Sequence, residues 1–330
     1  MSWLGLDVAK ASLAVALQAG EGKRLFERQF DNDARGVMRL QQWVQERGCT
    51  LSELTAVMEA TGVYHELVAL ALHEAGCRVI VANPKRVRDY AKGVGLLHKT
   101  DAVDARALVR YVAHNASELM AWEPPAPEIR ALRALHDRLA AVQADLLREE
   151  NRQQQASISA EPQLVIDSLE RSVERLRAEC ELLRRAIEDH FDQHPGLKSQ
   201  RELLQSIPGI GPVSGDRLLC VMSAHRFDSA RQAAAFCGLI PVVYESGSSV
   251  RQRPRLSKHG DGRLRAKLYM AALVAAQHNE QLREIYLSLV AAGKSKMSAL
   301  GALMRRLVHI AYGVLKHQLP YDPARVAKMI

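Results

Sequence analysis

Apolar and polar positions in the first 115 residues follow the periods of short strands and amphipathic helices. Three strands in succession are predicted by the stretches WLGLDVA, SLAVAL and KRLFERQF. A helix that ends at Gly48 is predicted by RGVMRLQQWVQERG, and a buried strand by TAVMEA. A further helix, strand and helix follow in YHELVALALHEAG, RVIVAN and the segment after Pro84. A β-rich start followed by a βαβα order predicts an α/β domain.

A different period begins beyond Pro124, Pro125 and Pro127, which break the chain. Apolar residues there recur at alternating intervals of three and four, the spacing of a heptad seam on two long helices. The seam comprises Leu132, Leu135, Leu139, Val142 and Leu146, then Ile166, Leu169, Val173, Leu176, Cys180, Leu183 and Ile187. This coiled-coil segment either folds on itself as a hairpin or offers a surface to another copy of the chain.

A mainly helical part follows Pro195 and Gly196. Its segment LLQSIPGIGPVSGDRLLCVM has the order of a helix-hairpin-helix motif. Gly209 and Gly211 would let backbone N–H groups of the turn approach a DNA phosphate without side-chain obstruction. A tight turn used only to pack two helices is the alternative. The sequence thus predicts three domains, which span residues 1–122, 123–195 and 196–330.

The net charge of +8 is concentrated near the end of the chain. Residues 1–120 contribute +1 and residues 121–200 contribute −4, whereas residues 201–330 contribute +11, from 19 basic and 8 acidic side chains. This asymmetry is typical of a protein that binds a polyanion, and nucleic acid is the first candidate. The basic stretch NPKRVRDYAKG, with Lys85, Arg86 and Arg88, is compatible with the same partner.

Other features of the composition disfavour several classes of protein. No apolar run reaches the length of a membrane helix, about 20 residues, and the start MSWLGLDVAK carries an acid where a signal peptide would be apolar. We therefore expect a cytoplasmic protein without a membrane partner. The five cysteines are scattered singly, so neither a zinc site nor a disulfide framework is indicated.

Four acidic residues of the first domain form a candidate metal site. Asp7 lies within the apolar first strand, and Glu59 ends the buried strand AVMEA. Asp101 and Asp104 share one face of a predicted helix, with Cβ atoms roughly 5–6 Å apart. Carboxylates that converge repel each other unless a cation such as Mg²⁺ joins them, and Mg²⁺ assists phosphodiester cleavage. A solvated helix face and a turn-capping role for Asp7 are the simpler alternatives.

The stretch GLIPVVYESGSSVRQRPRLSKHGDGR is irregular and too long for an idle connection, which favours a functional loop. It contains Ser246, Ser248 and Ser249, and a serine needs a base, a metal or nearby cations to attack phosphorus. Cations that could neutralise a phosphate lie in and beyond the loop, namely Arg251, Arg253, Arg255, Lys258, Arg263, Arg265 and Lys267. The spacing alone indicates a phosphate-binding loop, and a Ser/Gly turn without a nucleophile is equally compatible.

Five motifs occur in a set order along the chain: GLDVAK with Asp7, EATGVY with Glu59, KTDAVDAR with Asp101 and Asp104, SIPGIG, and AAFCGLIPVVYESGSSVRQRPRLSKHG. In this order they resemble the insertion-sequence transposases of the one-hundred-and-ten family, the bridge-RNA-guided DNA recombinases. The resemblance covers essentially the whole chain.

The resemblance implies a RuvC-like N-terminal domain of ribonuclease-H-like fold, whose four acids bind Mg²⁺. It also implies a coiled-coil segment used in assembly and a C-terminal transposase domain in which Ser246 of YESGSS is the nucleophile. The implied partners are donor and target DNA, a structured noncoding bridge RNA and further copies of the chain, as a dimer or tetramer. The implied setting is the bacterial cytoplasm, at the nucleoid when the enzyme is active.

Three other functions fit parts of the sequence. A RuvC-like junction resolvase or nuclease would use the acids alone and act by hydrolysis, which leaves the serine loop and the heptad helices without a role. A sugar-kinase-like ATPase is suggested by GLDVAKASLA, but the sequence lacks a second glycine-rich Asp loop. A non-catalytic architectural protein would bind nucleic acid without cleaving it.

Overall fold

The computed structural model describes residues 2–20, 24–60, 62–96, 100–242, 245–246, 250–251, 255–257 and 260–324. The chain divides into two compact units, Met1–Pro124 and Pro125–Ile330, and each has its own hydrophobic core. The division into three domains at residues 122 and 195 stays a prediction. No helix in the described ranges combines the length and the apolar character that a membrane crossing requires.

The first unit is built on a five-stranded sheet of β1 (Ser2–Val8), β2 (Ser12–Gln18), β3 (Leu25–Asp31), β4 (Leu54–Glu59) and β5 (Arg78–Ala82). The strand order is β3-β2-β1-β4-β5. The strands β1, β2 and β3 pair antiparallel, whereas β1, β4 and β5 run parallel. All five strands predicted from the hydrophobic pattern are present, and they form the mixed sheet that a ribonuclease-H-like fold implies.

In the described part of this unit the sheet is accompanied by the α-helices α1 (Ala34–Gln45), α2 (Glu66–Glu74), α3 (Pro84–Gly93) and α4 (Asp101–Asn115). Apolar residues of α1 and α2, among them Trp43, pack with Leu6 on one face of the sheet. On the other face α4 approaches β1 at Gly5, where a Cβ atom would lie 2.3 Å from the carbonyl oxygen of Ala105. Glycine is required at this position because any side chain would push the helix off the sheet.

The second unit begins with two long helices, α5 (Pro127–Ile158) and α6 (Gln163–Gln193), which pack against each other as a hairpin. Residues of the predicted heptad seam lie between them, with Val142, Cys180 and Leu183 buried. The structure therefore has the hairpin, one of the two arrangements that the sequence left open. A coiled-coil geometry and a role of the hairpin in assembly stay predictions.

The rest of the second unit is mainly helical, as predicted. Its helices in the described ranges are α7 (Pro195–Gln205), α8 (Pro212–Ala224), α9 (Ala230–Phe236), α10 (Gly262–His278), α11 (Glu280–Ala291) and α12 (Lys296–His317). Leu303 and Leu307 of α12 are fully buried in their common core. Between α9 and α10 the described residues include four two-residue strands, namely β6 (Pro241–Val242), β7 (Glu245–Ser246), β8 (Val250–Arg251) and β9 (Arg255–Leu256).

Candidate functional site

Asp7 and Glu59 lie side by side at one edge of the sheet. The strands β1 and β4 are parallel, and Leu6 is opposite Met58 in their register. Asp7 follows Leu6 in β1 and Glu59 follows Met58 in β4, so the same register carried one residue further brings the two together. Side chains in register on parallel strands project from the same face. Both residues are half-buried. The carboxyl ends of two neighbouring strands thus present two carboxylates to one side of the sheet.

The helix α4 covers that same face and runs opposite to β1. Trp3 packs against apolar groups that reach as far as Val112, whereas Gly5, further along β1, approaches Ala105 most closely and then Val109. Because the contacts move toward the start of α4 as β1 advances, the first turn of the helix points toward the end of the strand that carries Asp7. The pattern Gly5, Asp7 also fixes the face, since alternate residues of a strand project to the same side.

The first turn of α4 carries the other two acids. Thr100 caps the helix, with its side chain accepting a hydrogen bond from the Val103 backbone N–H at 3.3 Å. Asp101 is exposed and Asp104 is half-buried. An acid is favourable in this turn because the unpaired N–H groups give the helix start a partial positive charge. Arg106, one turn on, forms an ion pair with Glu27 of β3 at 3.2 Å.

The chemistry of these four residues fits a hard divalent cation, because all four supply carboxylate oxygens. The described residues, which include all four acids, contain no group of three or more His, Cys, Asp or Glu side chains arranged to hold a metal ion. The acids therefore lie at the carboxyl ends of β1 and β4 and in the first turn of α4, on one face of the sheet. They do not form a complete ligand set in this arrangement.

The stretch interpreted from the sequence as an irregular loop contains paired strands instead. Pro241 and Val242 pair with Leu256 and Arg255, and Glu245 and Ser246 pair with Arg251 and Val250. We call these two antiparallel pairs the ribbon. The backbone of Ser246 lies in the last pair before residues 247–249. Strands of two residues are too short to produce a periodic pattern, which explains why the sequence predicts irregular backbone at these eight residues. A functional role of the stretch stays a prediction.

Several residues of this stretch that the sequence predicts to be functional lie wholly or partly outside the described part of the chain. Arg253, Lys258, Ser248 and Ser249 lie outside the described residues, as do the side chains of Ser246 and Arg251.

The basic residues beyond the ribbon have different surroundings. Arg255, Arg263 and Lys267 are exposed. Arg265 is half-buried and donates a hydrogen bond to the carbonyl oxygen of Gly260, so that it fixes the start of α10. Asp261 caps the same helix, with its side chain accepting from the Arg263 backbone N–H at 2.8 Å. The exposed cations are available to a phosphate, whereas Arg265 already has a structural partner.

A second group of cations lies on α3, which begins directly after β5. Lys85, Arg86 and Arg88 are exposed, and Lys85 forms an ion pair with Asp89 at 2.6 Å. The last residue of β5, Ala82, is opposite Glu59, so α3 starts at the edge that carries the acids.

A contact that the sequence does not predict holds α3 against α4. Tyr90 Oη lies 2.7 Å from His114 Nδ1, within hydrogen-bond distance. Burial raises the pKa of Tyr90, and the charge of Arg110 lowers it by a smaller amount. No local signal reveals this pair, because its members are distant in the chain.

The two glycines of the predicted helix-hairpin-helix have distinct roles in the structure. Gly209 has a positive φ of +105°, and a Cβ atom there would lie 2.6 Å from Cβ of Ala275 on α10. Glycine is therefore required by the packing of the turn against α10. Gly211 is exposed at the start of α8, with open space around it. A contact of either glycine with DNA stays a prediction.

Two family models match the chain. The model described as "Transposase IS116/IS110/IS902 family" matches residues 201–287, and an IS110 DEDD-transposase model described as "Transposase" matches residues 4–159. The first match includes the ribbon and Ser246, and the second includes all four acids.

Similar proteins occur in several bacteria. The pilin gene-inverting protein of Moraxella bovis is 28% identical over 323 residues, which cover 97% of this chain and 98% of that protein. A probable family 20 transposase of Pseudomonas aeruginosa is 28% identical over 239 residues, which cover 65% of this chain and 69% of that protein. Among solved structures, Thermus thermophilus RuvC aligns with 18% identity and a TM-score of 0.31, covering 37% of this chain and 99% of RuvC.

Proposed function

The chain belongs to the IS110 family of transposases and is a DNA recombinase, and on this premise we propose that it cleaves, exchanges and rejoins DNA strands through a serine nucleophile and a divalent metal, guided by a structured noncoding RNA. The observation that carries the metal-dependent part is the parallel register of β1 with β4, which ends at Leu6 opposite Met58, so that Asp7 and Glu59 come next on the face that α4 covers.

The four acids would hold Mg²⁺ through their carboxylate oxygens. Asp7 and Glu59 would contribute from the strand ends, and Asp101 and Asp104 from the first turn of α4. A bound ion of this kind polarises a phosphoryl oxygen and offsets the negative charge that develops in the transition state. The role of the four carboxylates would be to hold the ion at the ends of β1 and β4.

Ser246 would attack phosphorus in the same reaction. A bond forms between Ser246 Oγ and phosphorus while the bond from phosphorus to the leaving oxygen breaks. The serine proton passes to solvent or a base, and the leaving oxygen takes up a proton and departs as a hydroxyl. The phosphoserine link conserves the phosphodiester energy, so that a hydroxyl of another strand can reverse the attack and rejoin DNA. The exposed cations Arg255, Arg263 and Lys267 would neutralise phosphates nearby.

Strand exchange accounts for more of the chain than hydrolysis does. The Moraxella bovis relative, which aligns over nearly its whole length, is named as a gene-inverting protein. Inversion of a DNA segment requires cut strands to be rejoined, and hydrolysis alone does not rejoin them. A RuvC-like metal-dependent nuclease that resolves Holliday junctions by hydrolysis is the alternative, and it would use the acids without Ser246.

The partners that we propose are donor and target DNA, the bridge RNA and other copies of the chain, in a dimer or tetramer. The excess of 19 basic over 8 acidic side chains in residues 201–330 favours binding of nucleic acid. We propose that the protein acts in the bacterial cytoplasm, at the nucleoid.

The serine mechanism can be tested with three matched substitutions, Ser246→Ala, Ser248→Ala and Ser249→Ala. We expect Ser246→Ala to abolish covalent protein–DNA adducts and strand exchange, while the other two keep both. Asp104→Asn should reduce cleavage by a factor of about 10² or more, because a metal ligand is lost. Continued cleavage in Ser246→Ala, combined with its loss in Asp104→Asn, would leave hydrolysis as the mechanism.

A further inference from the structure

One face of α12 carries an unusual concentration of basic groups. Arg305 and Arg306 precede His309 by four and three residues, so that both lie next to it on the helix surface. All three are half-buried. Arg231 of α9, the helix that packs on α12, is close enough for its charge to lower the pKa of His309.

Among the described residues, the two arginines of α12 lack the partners that comparable arginines have. Eight arginines in the described part of the chain are half-buried. Six of them donate hydrogen bonds to protein oxygens, namely Arg47, Arg78, Arg106, Arg201, Arg217 and Arg265. For Arg305 and Arg306, no described residue supplies an acceptor within hydrogen-bond distance or a carboxylate for an ion pair.

His309 has an unfilled hydrogen-bonding position at the same place. Its Nε2 atom is buried and has no hydrogen-bond partner among the described residues. Burial lowers the pKa of His309, and the charges of Arg305, Arg306 and Arg231 lower it further. A buried polar atom without a partner is costly, and like charges gathered without a counter-charge are costly as well. Both costs are relieved by an anion.

This basic face lies next to the ribbon that carries Ser246. Leu256 of β9 packs on α12 at Gly301, where a Cβ atom would lie 3.4 Å from the leucine side chain. Arg305 follows Gly301 by one helical turn, about 6 Å along the axis. The base of the ribbon and the basic face are therefore neighbours.

We propose that Arg231, Arg305, Arg306 and His309 form an oxyanion site that binds a phosphodiester of the DNA strand beside the ribbon. Guanidinium groups suit this ligand because their planar N–H donors match phosphate oxygens. DNA is favoured over RNA because Ser246 on the ribbon attacks DNA in the proposed function, on which this inference rests.

The proposal is tested by measuring DNA binding of the full chain with both Arg305→Gln and Arg306→Gln. Arg283→Gln on α11 is the control for the loss of an exposed arginine. We expect the double variant to bind a labelled duplex at least about tenfold more weakly at 0.1 M salt. The slope of log affinity against log salt should become shallower by about 1 to 2, the change expected when one or two phosphate contacts are lost. The control should change the affinity less than about twofold.

A second readout does not depend on activity. The histidine signal that disappears in His309→Gln can be followed by NMR in a pH titration, with and without duplex DNA. We expect DNA to raise the titration midpoint of His309, because a bound phosphate stabilises the imidazolium. Inorganic phosphate should shift the midpoint in the same direction.

Several outcomes would overturn the proposal. An unchanged salt slope in the double variant would do so, and so would a lowered melting temperature, since that would mean a structural role for the arginines. A loss of affinity for an RNA hairpin with DNA binding intact would assign the site to RNA instead. Adducts that persist in Ser246→Ala would refute the serine mechanism alone, and a shallower salt slope would still support the phosphate site.

Discussion

At the scale of single residues, burial controls the protonation of His225. Its ring centroid lies 4.3 Å from that of Phe236 and 6.0 Å from that of Phe227. Burial, with a smaller effect from the charge of Arg133, lowers the pKa of His225 from 6.5 to about 4. The folded protein therefore keeps this imidazole neutral at pH values where the unfolded chain binds a proton.

We expect the free energy of unfolding to decrease as the pH falls from 6.5 to about 4, because the unfolded chain binds the additional proton in this window. The part due to His225 is on the order of 3 kcal/mol at the low end of the window. Urea unfolding at a series of pH values measures it. In His225→Leu this part should be missing while the contribution of carboxylates remains, and an unchanged pH dependence would contradict the explanation.

Single residues differ in how far the sequence reveals them. Asp7 could be predicted, because an acid within an apolar strand is visible in the local pattern. Arg305 and Arg306 could not, since arginines on a helix usually face solvent and only the packed structure shows that these two lack an acceptor among the described residues. A sequence reports which groups are present, but the absence of a partner is a property of the fold.

At the scale of elements, four helices meet at an ion network with a buried centre at Asp216 and an exposed end at Glu188. Arg201 of α7 donates from Nε to Asp216 Oδ1 of α8 at 2.8 Å and from Nη1 to Glu188 Oε2 of α6 at 2.6 Å. His136 Nε2 of α5 lies 3.4 Å from Asp216 Oδ2 without the geometry of a hydrogen bond. The hydrogen bond from Arg201 lowers the pKa of Glu188. The network thus fixes the base of the α5–α6 hairpin against α7 and α8.

Asp216→Asn tests how much this network contributes to the free energy of unfolding, because the substitution removes the charge and keeps the size of the side chain. Asp216 is only 2% exposed, and we expect a loss of roughly 3 kcal/mol in the free energy of unfolding as Arg201 loses a buried partner. Asp192→Asn is the matched control, since Asp192 pairs with Lys198 at 2.7 Å on the surface. The control should cost less than about 1 kcal/mol. Equal losses of the two variants in urea unfolding would mean that the network contributes no more to stability than a surface ion pair does.

Elements with a long periodic pattern were predicted, and elements defined by distant contacts were not. The seam of α5 and α6 is visible as a heptad, but the sequence could not decide whether its partner was the same chain. The turn around Gly209 has a local signature, yet its glycine is required by Ala275 on α10. The ribbon escaped prediction because each of its strands has only two residues.

At the scale of the whole molecule, the two units carry different chemistry. The candidate metal ligands belong to the first unit, where basic and acidic charges nearly balance over residues 1–120. The cations proposed to grip phosphates are concentrated in residues 201–330, which contribute +11. Phosphate contacts depend on salt, whereas carboxylate ligands depend on a divalent ion. Binding and cleavage should therefore respond to different solution conditions.

Removal of divalent metal separates the two activities in the intact protein. We expect EDTA to abolish cleavage and adduct formation, and added Mg²⁺ to restore both. DNA affinity should change less than about threefold, because arginines and lysines contribute most of the binding to phosphates. An increase from 50 to 200 mM salt should act on binding instead. It should weaken DNA affinity by about 10³-fold or more if six or more phosphates are contacted. Gel-shift and cleavage assays on one duplex measure both. Cleavage that persists in EDTA would exclude the carboxylates as metal ligands, and binding without cleavage under any metal would favour an architectural role.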